Sequence, residues 1–389
     1  MTIADLIAIS IAIIMCGSMA VYLGKRWQFW FNFSLTSYYQ MAYWTVVVMV
    51  GLSLVLSRLS ESISTYWLPL ILNAVSAIMI CCLLVTILFD IGRWISKKKL
   101  KPQLTTKFVY FIAVFSLCYY GHEMAIEPSI VNYQVKIDKK AKVNKLRIVQ
   151  LSDIHINDMT FPDRIQQMVD KVNQLNADFI VITGDTLDRQ LKPFVDKGFN
   201  KQFQRFESKY GTYIIFGNHE YLNIKHESNH EQDIINAYEQ ANMKVLKDDV
   251  VYLEEVGITF IGRDDFSSSR YDIKRASLSD LIMFADTNKP IILLDHQPHD
   301  LNEPANLGVD LMISGHTHAG QIFPINLIEK LIYQNSYGIY KNIKQNFTSI
   351  VSSGFGFWGP PIRLMTRSEI VEIEVIFDKK STQLINFSQ

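Results

Sequence analysis

The chain has 389 residues, long enough for more than one domain, and its 38 basic residues balance 38 acidic ones; with no basic excess, nucleic acid is excluded as a partner. The neutrality covers two unlike parts: up to about Tyr120 the sequence is apolar and aromatic, and beyond it come the mixed charge, alternation and turn residues of a soluble domain. All four cysteines, Cys16, Cys81, Cys82 and Cys118, lie in the apolar part, which excludes a disulfide framework and a thiolate zinc site in the rest.

Four apolar runs, Ile3 to Leu23, Tyr39 to Ser57, Trp67 to Phe89 and Phe108 to Tyr120, predict a helical membrane bundle of about four transmembrane helices over residues 1–122. The first three reach the roughly 20 residues that a helix needs to cross the hydrocarbon core, and the fourth does so with Lys107 or His122 at the interface. Trp27, Trp30, Tyr38, Tyr39, Trp67 and Tyr119 sit near run ends, where amphipathic rings favour the headgroup level. No basic residue precedes the first run and no small-residue cleavage pattern follows it, so it reads as a retained anchor. Lys25 and Arg26 separate runs one and two, and Arg93, Lys97, Lys98, Lys99, Lys101 and Lys107 separate runs three and four, whereas only Arg58 lies between runs two and three. Positive charge retained inside then predicts a multi-pass protein of the cytoplasmic membrane with its soluble domain outside.

After a linker at 123–144, residues 145–389 alternate strand and helix. Leu146 to Leu151 reads as a strand, Pro162 to Leu175 as a helix, Phe179 to Thr183 as a strand, Lys192 to Ser208 as a helix and Thr212 to Phe216 as a strand. Met243 to Leu253 and Ile258 to Ile261 read as a strand pair turning at Gly257; Ile291 to Leu294 and Leu311 to Ile313 follow, and Thr348 to Ser352 with Ile370 to Ile376 complete a second sheet. This order predicts an α/β four-layer domain, two mixed β-sheets sandwiched by helices.

Polar residues of one chemical kind gather after these strands. Asp153 and His155 follow the first at alternating spacing, Gly184-Asp185 ends the second, and Gly217-Asn218-His219-Glu220 ends the third. Asp295-His296 and Gly315-His316-Thr317-His318 end two later ones, so five of the nine histidines fall directly after apolar strands. Chance explains that poorly, and carboxylate, amide oxygen and imidazole are the ligands of manganese, iron or zinc. His226, His230 and His299 read as solvent or loop residues, and Asp188 as either a support for the metal loop or a turn former.

The ordered set Asp-x-His, Gly-Asp, Gly-Asn-His-Glu, His and Gly-His-x-His resembles the calcineurin-like metallophosphoesterase family. The run from Gly315 to Pro324 and that from Ser353 to Leu364 resemble its membrane-associated branch, the YaeI-like and YkuE-like phosphoesterases and transmembrane proteins with a metallophosphoesterase domain, although Ala319 stands where that branch often has glycine. The resemblance implies one divalent ion held by Asp153, His155, Asp185 and His318 and a second by Asp185, Asn218, His296 and His316, manganese in the first place and iron or zinc otherwise. It also implies an in-line attack on phosphorus by a hydroxide shared between the ions, with His219 stabilising the transition state or protonating the leaving oxygen. Glu220 is expected to brace the ligands. The apolar and aromatic content of Ile322 to Tyr333 and of Phe355, Phe357 and Trp358, with Arg363 holding a second phosphate, suggests an amphiphilic or lipid-linked substrate at the bilayer; equally, these residues would pack against the membrane helices or fill the domain's own core, with Arg363 paired to a carboxylate. For Ile325 to Tyr333 a core-facing helix would show the same periodicity. A phosphodiesterase for soluble nucleotides or a cell-wall polymer, and a metal-binding membrane sensor or scaffold without turnover, stay open on the sequence.

Overall fold

In a computed structural model the described residues are 3–32, 36–60, 67–97, 103–222 and 230–377; Lys98, Lys99, Lys101 and His226 lie outside them. The chain divides into two compact units: residues 1–126 with 358–363, and residues 127–357 with 364–389.

The first unit is helical: α1 (Ile3–Phe31), α2 (Ser37–Gly51), α3 (Ser53–Ser60), α4 (Trp67–Ile95) and α5 (Leu104–Ile126). Among the described residues α4 and α5 are each long and apolar enough to cross a membrane, and α2 with α3 makes a third span if that pair, bent by 59°, counts as one. The expectation of four is thus met for two or three. At the bend Gly51 lies so close to Ala20 that a β-carbon there would collide with it, the close approach that small residues permit between apolar helices. Asp90, just beyond the third apolar run, pairs with Arg26 and accepts hydrogen bonds from the Tyr22 hydroxyl (2.7 Å) and the Trp30 indole (3.1 Å). Residues 358–363 cluster with these helices: Arg58 stacks over the Trp358 ring at 4.3 Å, and the Arg363 N–H donates to the Gly121 carbonyl at 2.8 Å.

The second unit contains β1 (Ser129–Ile137), β2 (Lys145–Leu151), β3 (Phe179–Thr183), β4 (Thr212–Ile215), β5 (Met243–Val245), β6 (Asp249–Leu253), β7 (Ile258–Gly262), β8 (Ile291–Leu294), β9 (Leu311–Ser314), β10 (Gly338–Asn342), β11 (Phe347–Val351) and β12 (Glu369–Phe377). Its helices are α6 (Pro162–Asn173), α7 (Lys192–Asp196), α8 (Phe199–Phe203), α9 (His230–Gln240), α10 (Leu278–Ile282), α11 (Asn302–Asn306) and α12 (Ile325–Ile332). One six-stranded sheet runs β1-β12-β2-β3-β4-β5 and the other β10-β11-β9-β8-β7-β6. Both mix parallel and antiparallel pairs.

Strand alternation builds the layers. Leu146, Ile148, Phe179 and Val181 of the first sheet pack against Phe260, Ile292, Leu294 and Ile313 of the second. The opposite residues of the first sheet, Val149, Leu151, Ile180 and Ile182, pack under α6 to α9, while Leu293 and Met312 of the second pack under α10 and α11. Gln150 points into the space between the sheets, where its amide donates to the Ser314 carbonyl (2.7 Å) and the Thr183 hydroxyl (2.9 Å), tying β2, β3 and β9 together at the ends that carry the polar motifs.

Several boundaries differ from expectation. The stretch expected as a linker supplies β1, which pairs in parallel with β12 along its whole length. The late strand β12 therefore belongs to the first sheet, between β1 and β2, and not to the second. The helix expected over Lys192 to Ser208 is broken into α7 and α8 at Gly198, whose φ of +72° no helix accommodates. Met243 to Leu253 is two strands in different sheets, separated where Asp248 takes a left-handed φ of +50°.

Candidate metal centre

Five strand ends converge at the carboxyl edge of the two sheets: β2 presents Asp153 and His155, β3 Asp185, β4 Asn218 and His219, β8 His296, and β9 His316 and His318. The backbone there is strained. Asp153 (φ +52°), His155 (+53°), Asp185 (+51°), His316 (+73°) and His318 (+51°) all adopt left-handed conformations, which cost non-glycine residues of order 1 kcal/mol or more each and persist only where the surroundings enforce them. The glycines make the crowding possible. A β-carbon at Gly184 would lie 2.7 Å from both the Gly217 nitrogen and His296 Nδ1, and one at Gly354 would lie 2.7 Å from Asp153 Cβ.

Three sets of donor atoms gather closely enough to share an ion: Asp153, His155 and His318; His155, Asp185 and His219; and Asp185, His296 and His316. In the first set His155 Nε2 and His318 Nε2 face each other at 3.0 Å, with Asp153 Oδ1 3.5 Å from the latter. In the third, His296 Nε2 stands 3.2 Å from Asp185 Oδ2 and 3.3 Å from Asn218 Oδ1. Imidazole nitrogens turned toward one another and toward carboxylates in a buried place make surroundings that a cation would stabilise. The donors fit divalent metal, and the carboxylate of Asp185 belongs to two of the sets.

A surrounding shell orients these groups. His296 Nδ1 donates to the Thr183 carbonyl at 2.7 Å, which turns Nε2 toward Asp185 and Asn218. The Ser152 hydroxyl donates to Asp153 Oδ2 at 2.5 Å, and the His316 N–H reaches both oxygens of Asp153 at 3.0–3.1 Å. Glu220, buried, accepts from the backbone N–H groups of Asp185 (3.0 Å), Thr186 (2.8 Å), Leu187 (3.0 Å) and Gly217 (2.8 Å) and from the Tyr238 hydroxyl (2.9 Å). One carboxylate thereby locks the loop after β3 to the loop after β4. Asp188 is the partner that sequence reasoning could not settle: its Oδ1 lies 3.3 Å from His155 Nδ1 and 3.2 Å from His219 Nδ1, and its carbonyl accepts from His219 Nδ1 at 2.6 Å. Its spacing of three from Asp185 was the only sequence signal.

Charge at the site follows from this packing. Burial disfavours an ionised Asp185, but the imidazoles of His296 and His219 outweigh it and hold the carboxyl well below the usual range. Burial likewise disfavours the His219 imidazolium, yet Asp185 and Asp188 raise it to about 9. His316 is pushed down to about 3 by burial and by His296, which keeps it a neutral nitrogen donor. Burial and the Asp185 charge raise Glu220 to about 7.

A sequence profile described as calcineurin-like phosphoesterase matches residues 146–320. A metallophosphoesterase of Helicobacter pylori is 31% identical over 282 residues, covering 72% of each chain. The protein belongs to the calcineurin-like metallophosphoesterase family. A zebrafish (Danio rerio) protein named as a transmembrane protein with a metallophosphoesterase domain is 32% identical over 266 residues, 66% of this chain and 60% of that one. An Aquifex aeolicus metallophosphoesterase is 29% identical over 268 residues, 68% of this chain and 98% of the relative. The family is one of metal-dependent phosphoester hydrolases, and among the described residues this member has two helices, or three with the bent pair, that are long and apolar enough to cross a membrane.

All seven residues expected as ligands, and His219, thus stand at one edge of the second unit. Arg363, expected to bind phosphate, is fully buried, and Phe355, Phe357 and Trp358, expected together as a rim, differ in their surroundings. Phe355 is in the core under the first sheet, Phe357 lies 5.0 Å beneath the Arg164 guanidinium, and Trp358 goes with the helical unit. His230, expected in solvent, is buried at the start of α9. His299 is half-buried, with its ring 4.4 Å from Phe266 and 5.2 Å from Tyr333.

Proposed function

We propose that the protein is a membrane-anchored dimetal phosphoesterase that hydrolyses a phosphoester or pyrophosphate bond of an amphiphilic or lipid-linked substrate outside the cytoplasmic membrane. The observation that carries the reading is the Asp185 carboxylate, which belongs to two converging donor sets, one with His155 and His219 and the other with His296 and His316, while His155 also stands in the set of Asp153 and His318. Two bound divalent ions, manganese by the oxygen and imidazole donors and iron or zinc as alternatives, would supply Lewis-acid stabilisation and an activated water. The protein's own part is to hold that set rigid and to move one proton. His219 offers Nε2 to the site while Asp188 takes Nδ1, so it is poised to give a proton to the leaving oxygen. Glu220 fastens the loops after β3 and β4, and Asp188 orients His155 and His219. The basic residues Lys25, Arg26, Arg93, Lys97 and Lys107 support the outside placement of the domain.

Full-length protein in detergent, loaded with manganese, should approach two ions per chain by elemental analysis and should cleave a lipid phosphoester faster than its soluble headgroup. Full activity with one ion would end the two-metal reading. Preference for soluble nucleotide would move the function to a phosphodiesterase, and metal binding without turnover on any substrate would leave a sensor or scaffold. For the topology, single cysteines at Ser96 and Asn288 labelled in intact cells with an impermeant reagent should react at Asn288 alone; the reverse pattern puts the site inside.

A further inference from the structure

Helix α12 begins seven residues after the last histidine of the β9 loop, His318 giving way to Ile325, and it is built against that loop at both ends. A β-carbon at Gly320 would lie 2.8 Å from the Ile325 carbonyl carbon, and Tyr333, which ends the helix, sets its ring 6.1 Å from that of His316. At 100° per residue Ile325, Leu327, Ile328, Leu331 and Ile332 occupy one arc of the helix, and Asn326, Glu329 and Lys330 the other.

The orientation of these arcs is opposite to that of a helix in water. None of the residues of α12 is buried; Leu331 is 87% and Ile332 61% exposed, and Ile325, Leu327 and Ile328 are exposed as well. Asn326 Oδ1 and Glu329 Oε2, in contrast, have no accessible surface and no hydrogen-bond partner among the described residues. Burial pushes the Glu329 carboxyl up accordingly. In water such an arrangement exposes what should be hidden and hides what should be exposed. It is the arrangement of a helix whose outer medium is apolar.

We infer that α12 is an interfacial membrane helix, laying its Ile325–Leu327–Ile328–Leu331–Ile332 face into the boundary between lipid headgroups and acyl chains. The bilayer, and not a second copy of the chain, is the occupant because every copy carries it along: α5 ends at Ile126 and β1 starts at Ser129, a tether of roughly 10 Å at full extension. A surface so tethered is present at high effective concentration, whereas a second copy has to be found by diffusion. The metal loop, fixed to both ends of α12, then works roughly one helix diameter, ~10 Å, from the lipid. This inference concerns where the domain rests and stands whether or not the substrate is a lipid.

The test is photo-crosslinking of the full-length protein in phosphatidylcholine and phosphatidylglycerol vesicles containing radiolabelled phospholipid, with benzoylphenylalanine placed at Leu331. Phe115, exposed on α5, is the positive control, and Lys341, exposed on β10, the negative one. Lipid adduct at Leu331 should approach that at Phe115, and Ile328→Asp should lower it roughly tenfold, the partitioning contribution of one large apolar side chain. Because no residue of α12 is buried, that variant should keep its metal content, which is measured alongside. Adduct at Leu331 no greater than at Lys341, while Phe115 labels, overturns the inference; so does a protein–protein adduct of twice the chain mass. Neither outcome depends on turnover, so failure of the hydrolase reading is recognised separately.

Discussion

The two sheets contribute unequally to one site. The first supplies Asp153, His155, Asp185, Asn218 and His219, carries both ligand carboxylates, and has its loops fastened by Glu220 and Asp188. The second supplies only imidazoles, His296, His316 and His318, and borrows its orientation from the first: His296 is held by the Thr183 carbonyl of β3 and the His316 N–H by Asp153. The first sheet therefore supplies the carboxylates and the second only imidazole nitrogens. An arrangement of this kind fails asymmetrically, since losing a buried carboxylate removes both charge and bridge whereas losing one imidazole removes a single donor.

The largest effect should come from breaking the frame at its shared point. Asp185→Asn should strip most of both ions and lower turnover by about 10⁴-fold or more, against roughly 10²-fold for His316→Ala, as measured by elemental analysis and steady-state rates. Equal losses would mean that the sheets contribute alike. Next, His219→Ala should keep metal and lose about 10²–10⁴-fold in turnover on an alkyl phosphoester, with a smaller loss on a nitrophenyl ester whose leaving group needs no proton. The same loss on both would exclude proton donation as the role of His219. Glu220→Gln keeps the shape but weakens the brace between the loops after β3 and β4; metal affinity should fall about 10–100-fold by competition with a chelating dye, while Gln167→Ala on the exposed face of α6 changes nothing.

The smallest effect sharpens the electrostatics. In metal-free protein, His219 labelled for NMR should titrate near 9, and Asp188→Asn should bring it down. Since the folded value lies above the unfolded one, near 6.5, the associated stability is fully present below about 6.5 and is lost as pH rises through about 9. A thermal melt of the chelated protein should decline across that window, and more shallowly in the Asp188→Asn variant.

How a pattern reads depends on what lies around it, as α6 and α12 show. Both are cleanly amphipathic in sequence. Helix α6 turns Ile165, Met168, Val169 and Val172 into the core and its charges to water, whereas α12 turns its apolar arc outward. Periodicity reports that a face exists and is silent about which medium it meets.

The sequence by itself picked out the residues that gather at the carboxyl edge of the sheets, because a metal centre needs particular atoms at the ends of buried strands and these are few, polar and conspicuous after apolar runs such as Phe179 to Thr183. It determined the layered α/β architecture for the same local reason, alternation of apolar residues at strand period. Only the tertiary structure decided that β12 lies beside β1 and β2, that Asp188 reaches two imidazoles, that Arg363 is fully buried, and that the apolar arc of α12 is exposed. Each of these is a relation between residues far apart in the chain or between a face and its surroundings, and no local spacing carries that information.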